Sequence, residues 1–229
     1  SLAIKRIDRE VVITKVCNGI LPTMKVLHKM KQSSNEKCPI CLHTESQEHM
    51  LLCNDTSRMK LRRTLVKNLG IEMKKRQTGH ALIDHLCSVA TEWLDTGAVL
   101  VDKYPEPIQP TLKSQAKIGW YNMFRGRLSN KWLQRYESTK SLSSTEGTRP
   151  CEPFVWGAKI VELLLRFHIK VWEQRNKDVH GDDKNKKKDN FKRRQLQMEI
   201  RKLQRLKRKA RPDDEFLFVH LKTFLKSDT

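Results

Sequence analysis

Apolar residues recur at helical spacing along most of this chain. Ile4, Ile7, Val11, Val12 and Val16 predict a first helix, and Asn18-Gly19 is a good stop for it. Pro22 suits the first turn of a short helix carrying Met24, Val26, Leu27 and Met30. Asn54 or Asp55 can cap another that runs through Met59, Leu61, Leu65 and Leu69 to Gly70. One more is expected from about 79 to 95, with Ala81, Leu82, Leu86, Val89, Ala90 and Trp93 inward. Pro105, Pro107 and Pro110 make 101–111 a stretch that no helix can cross, and it reads as a linker. Beyond it a single long helix, Leu112 to about Tyr136, is predicted to carry Trp120, Phe124, Leu128, Trp132 and Tyr136 at every fourth position. Residues 138–150, rich in Ser and Thr, read as a loop. Phe154, Trp156, Ile160, Leu164, Phe167, Val171 and Trp172 then give the most hydrophobic helix of the chain.

Charge changes this picture. Of the 229 residues, 46 are Lys or Arg against 26 Asp or Glu, a formal net charge of +20. Between Lys184 and Arg211 fourteen basic residues face only Asp189 and Glu199, so this stretch carries more than half of the excess. Leu196, Ile200 and Leu203 give it a narrow apolar seam, which predicts a long basic helix over 184–211. Such a face meets phosphate, and Lys192, Arg193, Arg194, Arg201, Lys202, Arg205 and Arg208 are the candidate contacts. Arg125 and Arg127 beside the aromatic stripe are further candidates. The stripe could be a stacking platform for single strands, but aromatics at helical spacing more often form core. No apolar run approaches the ~20 residues of a membrane span and no signal peptide opens the chain. The expected partner is nucleic acid, RNA or DNA, with no membrane, in an intracellular and nuclear setting. The first residue is Ser1 rather than Met, as expected after processing or in a piece of something longer.

Candidate chemistry centres on Cys38-Pro39-Ile40-Cys41, followed by His49 and Cys53. Three thiolates and an imidazole within sixteen residues make a closed tetrahedral site for Zn2+. Cys-x-x-Cys turns both sulfurs toward one metal. His49 and Cys53, four apart on a predicted helix, share a face. His43 is the rival fourth ligand, but it lies two residues from Cys41, and His49 is preferred. Cys17, Cys87 and Cys151 are scattered singly, which suggests a reducing compartment. His80, His85 and Cys87 do not share one helical face and make a poor second site. The expected fold is all-α: a helical domain with a Cys-Cys-His-Cys zinc knuckle (1–100), the linker (101–111), and a second helical bundle with the basic helix (112–229).

The run Gly19-Ile20-Leu21-Pro22-Thr23, a short helix, Cys38-Pro39-x-Cys41, Glu48-His49 and Cys53 resembles the zinc-binding segment that follows the reverse transcriptase core in non-LTR retrotransposon proteins. Its internal spacing of seven and three departs from the four and four of the retroviral nucleocapsid knuckle, so base reading by that kind of knuckle is not implied. Gln115-x-x-Ile118-Gly119-Trp120 and Trp172-x-x-Arg175-Asn176 also resemble C-terminal regions of retroelement proteins. The resemblance implies a module that helps hold RNA or DNA near an upstream reverse transcriptase domain. No polymerase signature such as Tyr-x-Asp-Asp is present, so the chain alone is not expected to be an enzyme.

Two other readings stay open. Arg175-Asn176-x-x-x-His180 resembles the signature of the all-helical HEPN ribonucleases, in which His180 would act as acid or base and Arg175 would hold the phosphate. The same residues also suit an ordinary helix C-terminus closed by Gly181. The other reading is a protein-interaction scaffold, stapled by zinc and binding an acidic partner through the basic helix.

Overall fold

The computed structural model describes residues 2–140, 151–180 and 196. Among these the chain is all-α: helices and two short 3-10 turns, one isolated antiparallel bridge between Lys37 and Thr44, and no strand. By internal contacts it divides into Ser1–Gln174 and Arg175–Thr229.

In the first unit, helix ends follow from identifiable groups. α1 (Leu2–Asn18) stops at Gly19, whose φ of +72° lets its N–H reach Val16 O at 3.1 Å while Ile20 N reaches Lys15 O at 3.0 Å. α2 (Met24–Lys29) starts after Thr23, so Pro22 precedes the cap instead of lying in the first turn. α3 is Gln47–Leu52. α4 (Thr56–Lys75) is capped by the Asp55 carboxylate, which accepts from Ser57 N and Arg58 N. The predicted stop at Gly70 is corrected: α4 runs through it. A helical glycine costs about 1 kcal/mol, and burial of Leu65, Leu69 and Met73 on one face outweighs that. α5 is His80–Thr96, ending at Gly97; Ala81, expected inward, is exposed in its first turn, and Leu82 and Ile83 are buried there instead.

Residues 101–111 are folded, which differs from the expected linker. They hold 3-10 turns at Val101–Lys103 and Glu106–Ile108 and the start of α6 (Gln109–Ile118). Pro110 sits in the first turn of α6, where no N–H is needed. Ile108 and Leu112 join one core with Trp93, Phe124, Trp132 and Trp156. The expected boundary here has no counterpart, because Ser1–Gln174 is one unit.

The predicted helix from Leu112 to Tyr136 is three helices: α6, α7 (Trp120–Met123) and α8 (Asn130–Lys140). Gly119 and Gly126, at φ +97° and +86°, break it in a region of backbone space that other residues avoid. The aromatic stripe is core all the same. Phe124 and Trp132 are fully buried, Phe124 stacks on Trp93 at 4.5 Å and Tyr136 on Trp156 at 4.7 Å. α9 (Pro153–His180) supplies Trp156, Ile160, Leu164 and Phe167 to this core. The loop predicted over 138–150 is corrected at its start, because α8 continues to Lys140. Its remainder, 141–150, and the basic helix over 184–211 lie outside the described residues, apart from the exposed, helical Leu196.

Two buried polar groups make the core testable. Trp156 Nε1 donates to Thr78 Oγ1 at 2.9 Å. Trp156→Ala should destabilise the protein by about 3–5 kcal/mol, and Thr78→Val by about 1–3 kcal/mol through the orphaned N–H, as read by denaturant unfolding. His168 is fully buried with Nδ1 3.3 Å from Phe124 O, and burial pushes its pKa down to about 4. The unfolded chain takes up a proton below about pH 6.5 that the native protein refuses until about 4. Stability contributed by neutral His168 is therefore complete above pH 6.5 and lost as pH falls toward 4, by roughly 3 kcal/mol. Unfolding curves across that window should show this increment, and His168→Gln should remove it.

Candidate metal centre

A small knuckle presents the first two cysteines. Glu45 N donates to Glu36 O at 2.8 Å, Cys38 N to His43 O at 2.7 Å, and Leu42 N closes back on Cys38 O at 3.0 Å. Leu42 takes φ +66°, unusual for a branched side chain, so this turn is held by its surroundings. His49 comes from the first turn of α3, where Ser46 Oγ accepts its backbone N–H at 2.9 Å. Cys53 is the first residue past α3, in extended backbone, and not on the helix as expected.

The geometry converges. The ligand atoms of Cys38, Cys41, His49 and Cys53 all lie within 4.8 Å of one another, and Cys41 Sγ is 3.1 Å from His49 Nε2. Donors bound to one tetrahedral ion at ~2.0–2.3 Å stand about 3.3–3.8 Å apart, so the cluster fits a single metal. Cys38 and Cys53 are buried while Cys41 and His49 are half-buried. His43 is excluded from the cluster: it contributes its carbonyl to the turn, and its ring centroid lies 6.0 Å from that of His49. Among the described residues no other group of this kind exists, and His85 instead meets Tyr104 edge-on at 6.3 Å.

The sulfurs are electrostatically coupled. Cys53 donating its thiol proton to Cys38 holds Cys38 down to about 2, with help from His49, while the same shared proton and burial push Cys53 up. Burial raises Cys41 as well. Without a cation two thiols keep their protons, and a bound dication displaces them.

Three thiolates and one dication leave a net charge of −1, and two buried arginines sit against it. Arg58 is fully buried and its charge favours the Cys53 thiolate. Arg62, 5% exposed, donates from Nε to Leu51 O and from Nη2 to Cys53 O, both at 2.8 Å. Sequence reasoning missed both. Their only signal is an i, i+4 pair of arginines in the first turns of the helix after the third cysteine. It missed the carriers of the knuckle too. Buried Glu45 accepts Met24 N at 2.7 Å and so caps α2. Gln47 accepts from Leu21 N at 3.3 Å and donates to Val16 O at 2.9 Å, which ties α3 to the end of α1.

The other candidates stand apart from this centre. Arg125, read as a phosphate contact, is committed elsewhere: it donates to Val16 O and Cys17 O at the C-terminal end of α1 and to Asn122 Oδ1, with its guanidinium 5.5 Å from the Tyr121 ring. Arg127 is exposed. Arg175 is 1% exposed and donates to Asn176 Oδ1 at 3.3 Å, while the His180 side chain lies outside the described residues. So do Lys192, Arg193, Arg194, Arg201, Lys202, Arg205 and Arg208. No described helix is long and apolar enough to cross a membrane.

Arg58→Met should keep the side chain's bulk and remove its charge. Outer-shell partners of this kind are worth ~10–100-fold in metal affinity, so competition against a chromogenic chelator should show a loss of that size. No family model, curated protein or solved structure matches this chain.

Proposed function

We propose that the chain is a zinc-stapled nucleic-acid-binding module of a retroelement-type protein. The observation that carries the reading is the convergence of Cys38, Cys41, His49 and Cys53 on one point, in a chain of net charge +20. A closed set of three sulfurs and one nitrogen suits Zn2+, which forms tetrahedral centres of this composition and does no redox chemistry. The metal's role is structural. It fixes a knuckle between helices of six residues each, which are too short to persist alone. Binding falls to the basic residues, among them Lys192, Arg193, Arg194, Arg201, Lys202, Arg205 and Arg208, whose density suits contact with phosphate without base reading. The resemblance to the segment downstream of a reverse transcriptase core adds the context: a module that holds RNA or DNA beside a polymerase domain, in the nucleus.

The chain purified without chelator should hold one zinc, and Cys41→Ser should lose it and unfold the knuckle, since structural zinc supplies on the order of 10 kcal/mol of apparent folding free energy. Elemental analysis with circular dichroism checks both. Changing Arg201, Arg205 and Arg208 together to Ala should weaken all nucleic-acid sequences alike and make the slope of log affinity against log salt shallower by about two to three. Affinity and slope equal to wild type would remove the basic segment from the proposed role. Metal-independent RNA cleavage lost in His180→Ala would favour the ribonuclease reading instead.

A further inference from the structure

α4 is dense in basic residues, and the structure sorts them into different duties. Arg58 and Arg62 turn inward to the metal centre, and Lys75 and Arg76 pair with Glu72 at 3.0 and 3.2 Å. Lys60, Arg63, Lys67 and Lys74 remain exposed, and no ion pair holds them among the described residues. At 3.6 residues per turn these four positions fall within about 60° of arc, one straight stripe along the helix. From Lys60 to Lys74 it extends about 21 Å at 1.5 Å per residue. The stripe itself carries no acidic residue, and Ile71 fills its one apolar position.

The stripe also has a shape. Between α4 and α5 lies a groove of about 600 Å³ with Met59, Val66 and Leu94 on its walls and Arg63 and Lys67 on its rim. Its one acidic wall residue, Asp95, faces Arg62 at 4.0 Å. Two other exposed cations of the unit are opposed by carboxylates, Lys103 by Glu92 at 3.6 Å and Arg166 by Glu162. Lys29, Lys113 and Lys117 have no ion pair among the described residues and are not part of this four-cation line. Four uncompensated cations on a convex ridge raise the local potential and favour a linear polyanion over a compact acidic surface.

We propose that this outward face of α4, Lys60, Arg63, Lys67 and Lys74, lies against the phosphate backbone of a nucleic-acid duplex. The proposal rests on the nucleic-acid reading above and gives it a surface within the described fold. Duplex is favoured over single strand by the distribution of aromatic rings. Single strands are held by stacking bases on exposed aromatics. Here α4 offers no ring at all, Trp93, Phe124, Trp132, Tyr136 and Trp156 are in the core, and Tyr104, Trp120 and Tyr121 are partly buried. Among the described residues the one exposed ring of a Phe, Tyr or Trp, Phe154, belongs to α9 and stands singly. A ridge of cations without a stacking platform grips backbone alone, and a 21 Å length of duplex contains about twelve phosphate charges, counted on both strands and all its sides.

The test uses the full, metal-loaded chain with a mixed-sequence DNA duplex of about 20 base pairs and, separately, one of its strands, in salt titrations. Lys60→Gln, Arg63→Gln and Lys67→Gln together should reduce duplex affinity on the order of 10²-fold at 0.1 M salt and make the salt slope shallower by about 2.7; each single change should remove about 0.9. A charge-matched control, Lys29→Gln, Lys113→Gln and Lys117→Gln, should leave the slope unchanged, since these exposed lysines lie off the stripe. Metal content and thermal melting of both triple variants should match wild type, because every altered side chain is exposed. Wild-type binding that the α4 variant retains with an unchanged slope overturns the α4 proposal and leaves the nucleic-acid reading standing. Equal losses in the control reduce the effect to net charge and overturn it as well, as does tighter binding of the single strand than of the duplex. Absence of any nucleic-acid binding by wild type defeats the underlying reading itself.

Discussion

With three sulfurs and an imidazole nitrogen within 4.8 Å of each other and two of the sulfurs fully buried, the sulfurs cannot all be thiolates unless a cation lies among them. Much of the N-terminal part of the protein depends on how that constraint is met. α2 and α3 are six residues each, below the length at which a helix supports itself. Both are held by polar ties that begin at the knuckle: Glu45 to the start of α2, Gln47 to the end of α1, and Arg62 to the carbonyls of Leu51 and Cys53. Arg58 and Arg62 bring the positive charge that a Cys3His centre lacks. They come from α4, so the metal's charge balance and the packing of the long helix against α5 are set by the same element.

Buried polar side chains elsewhere in the unit do related work. Gln115 accepts from Ser129 N at 2.9 Å and donates to Arg127 O at 3.1 Å, which spans the turn that Gly126 opens between α7 and α8. A continuous helix would satisfy those backbone groups by itself; a broken one needs a side chain to do so. Bending the chain there lets Trp132 and Tyr136 enter the core from a different direction than Phe124, with Tyr136 lying flat on Trp156.

How much could be read beforehand follows from the range of the interactions. The clustering of Cys38, Cys41, His49 and Cys53 was legible because their spacing is local, and so were the ends of α1 at Gly19 and α5 near 95, where short signals decide. The helical class and the burial of the aromatics followed from periodicity. The breaks at Gly119 and Gly126 were not legible, since a helical glycine and a left-handed one look alike until the partner across the gap is known; for Gly126 that partner is Val161, 3.2 Å from where a Cβ would stand. Gly70 misled in the opposite sense. Pro105, Pro107 and Pro110 do forbid a continuous helix, yet 3-10 turns and a helix start accommodate all three, and Ile108 is in the core. Arg125 read as a surface cation because its acceptors lie more than a hundred residues upstream.

That last separation bears on the order of events during synthesis. The knuckle's four candidate ligands emerge from the ribosome within sixteen residues of one another, so they can meet before the helices that follow them are made. The carbonyls of Val16 and Cys17 wait for Arg125, 109 and 108 residues later. At bacterial to eukaryotic elongation rates of about 5–20 residues per second, that delay is roughly 5–20 s. During it the first helix has its glycine stop but not its cation. The contacts that close the end of α1 thus become available only long after those of the knuckle, whose partners are local in sequence.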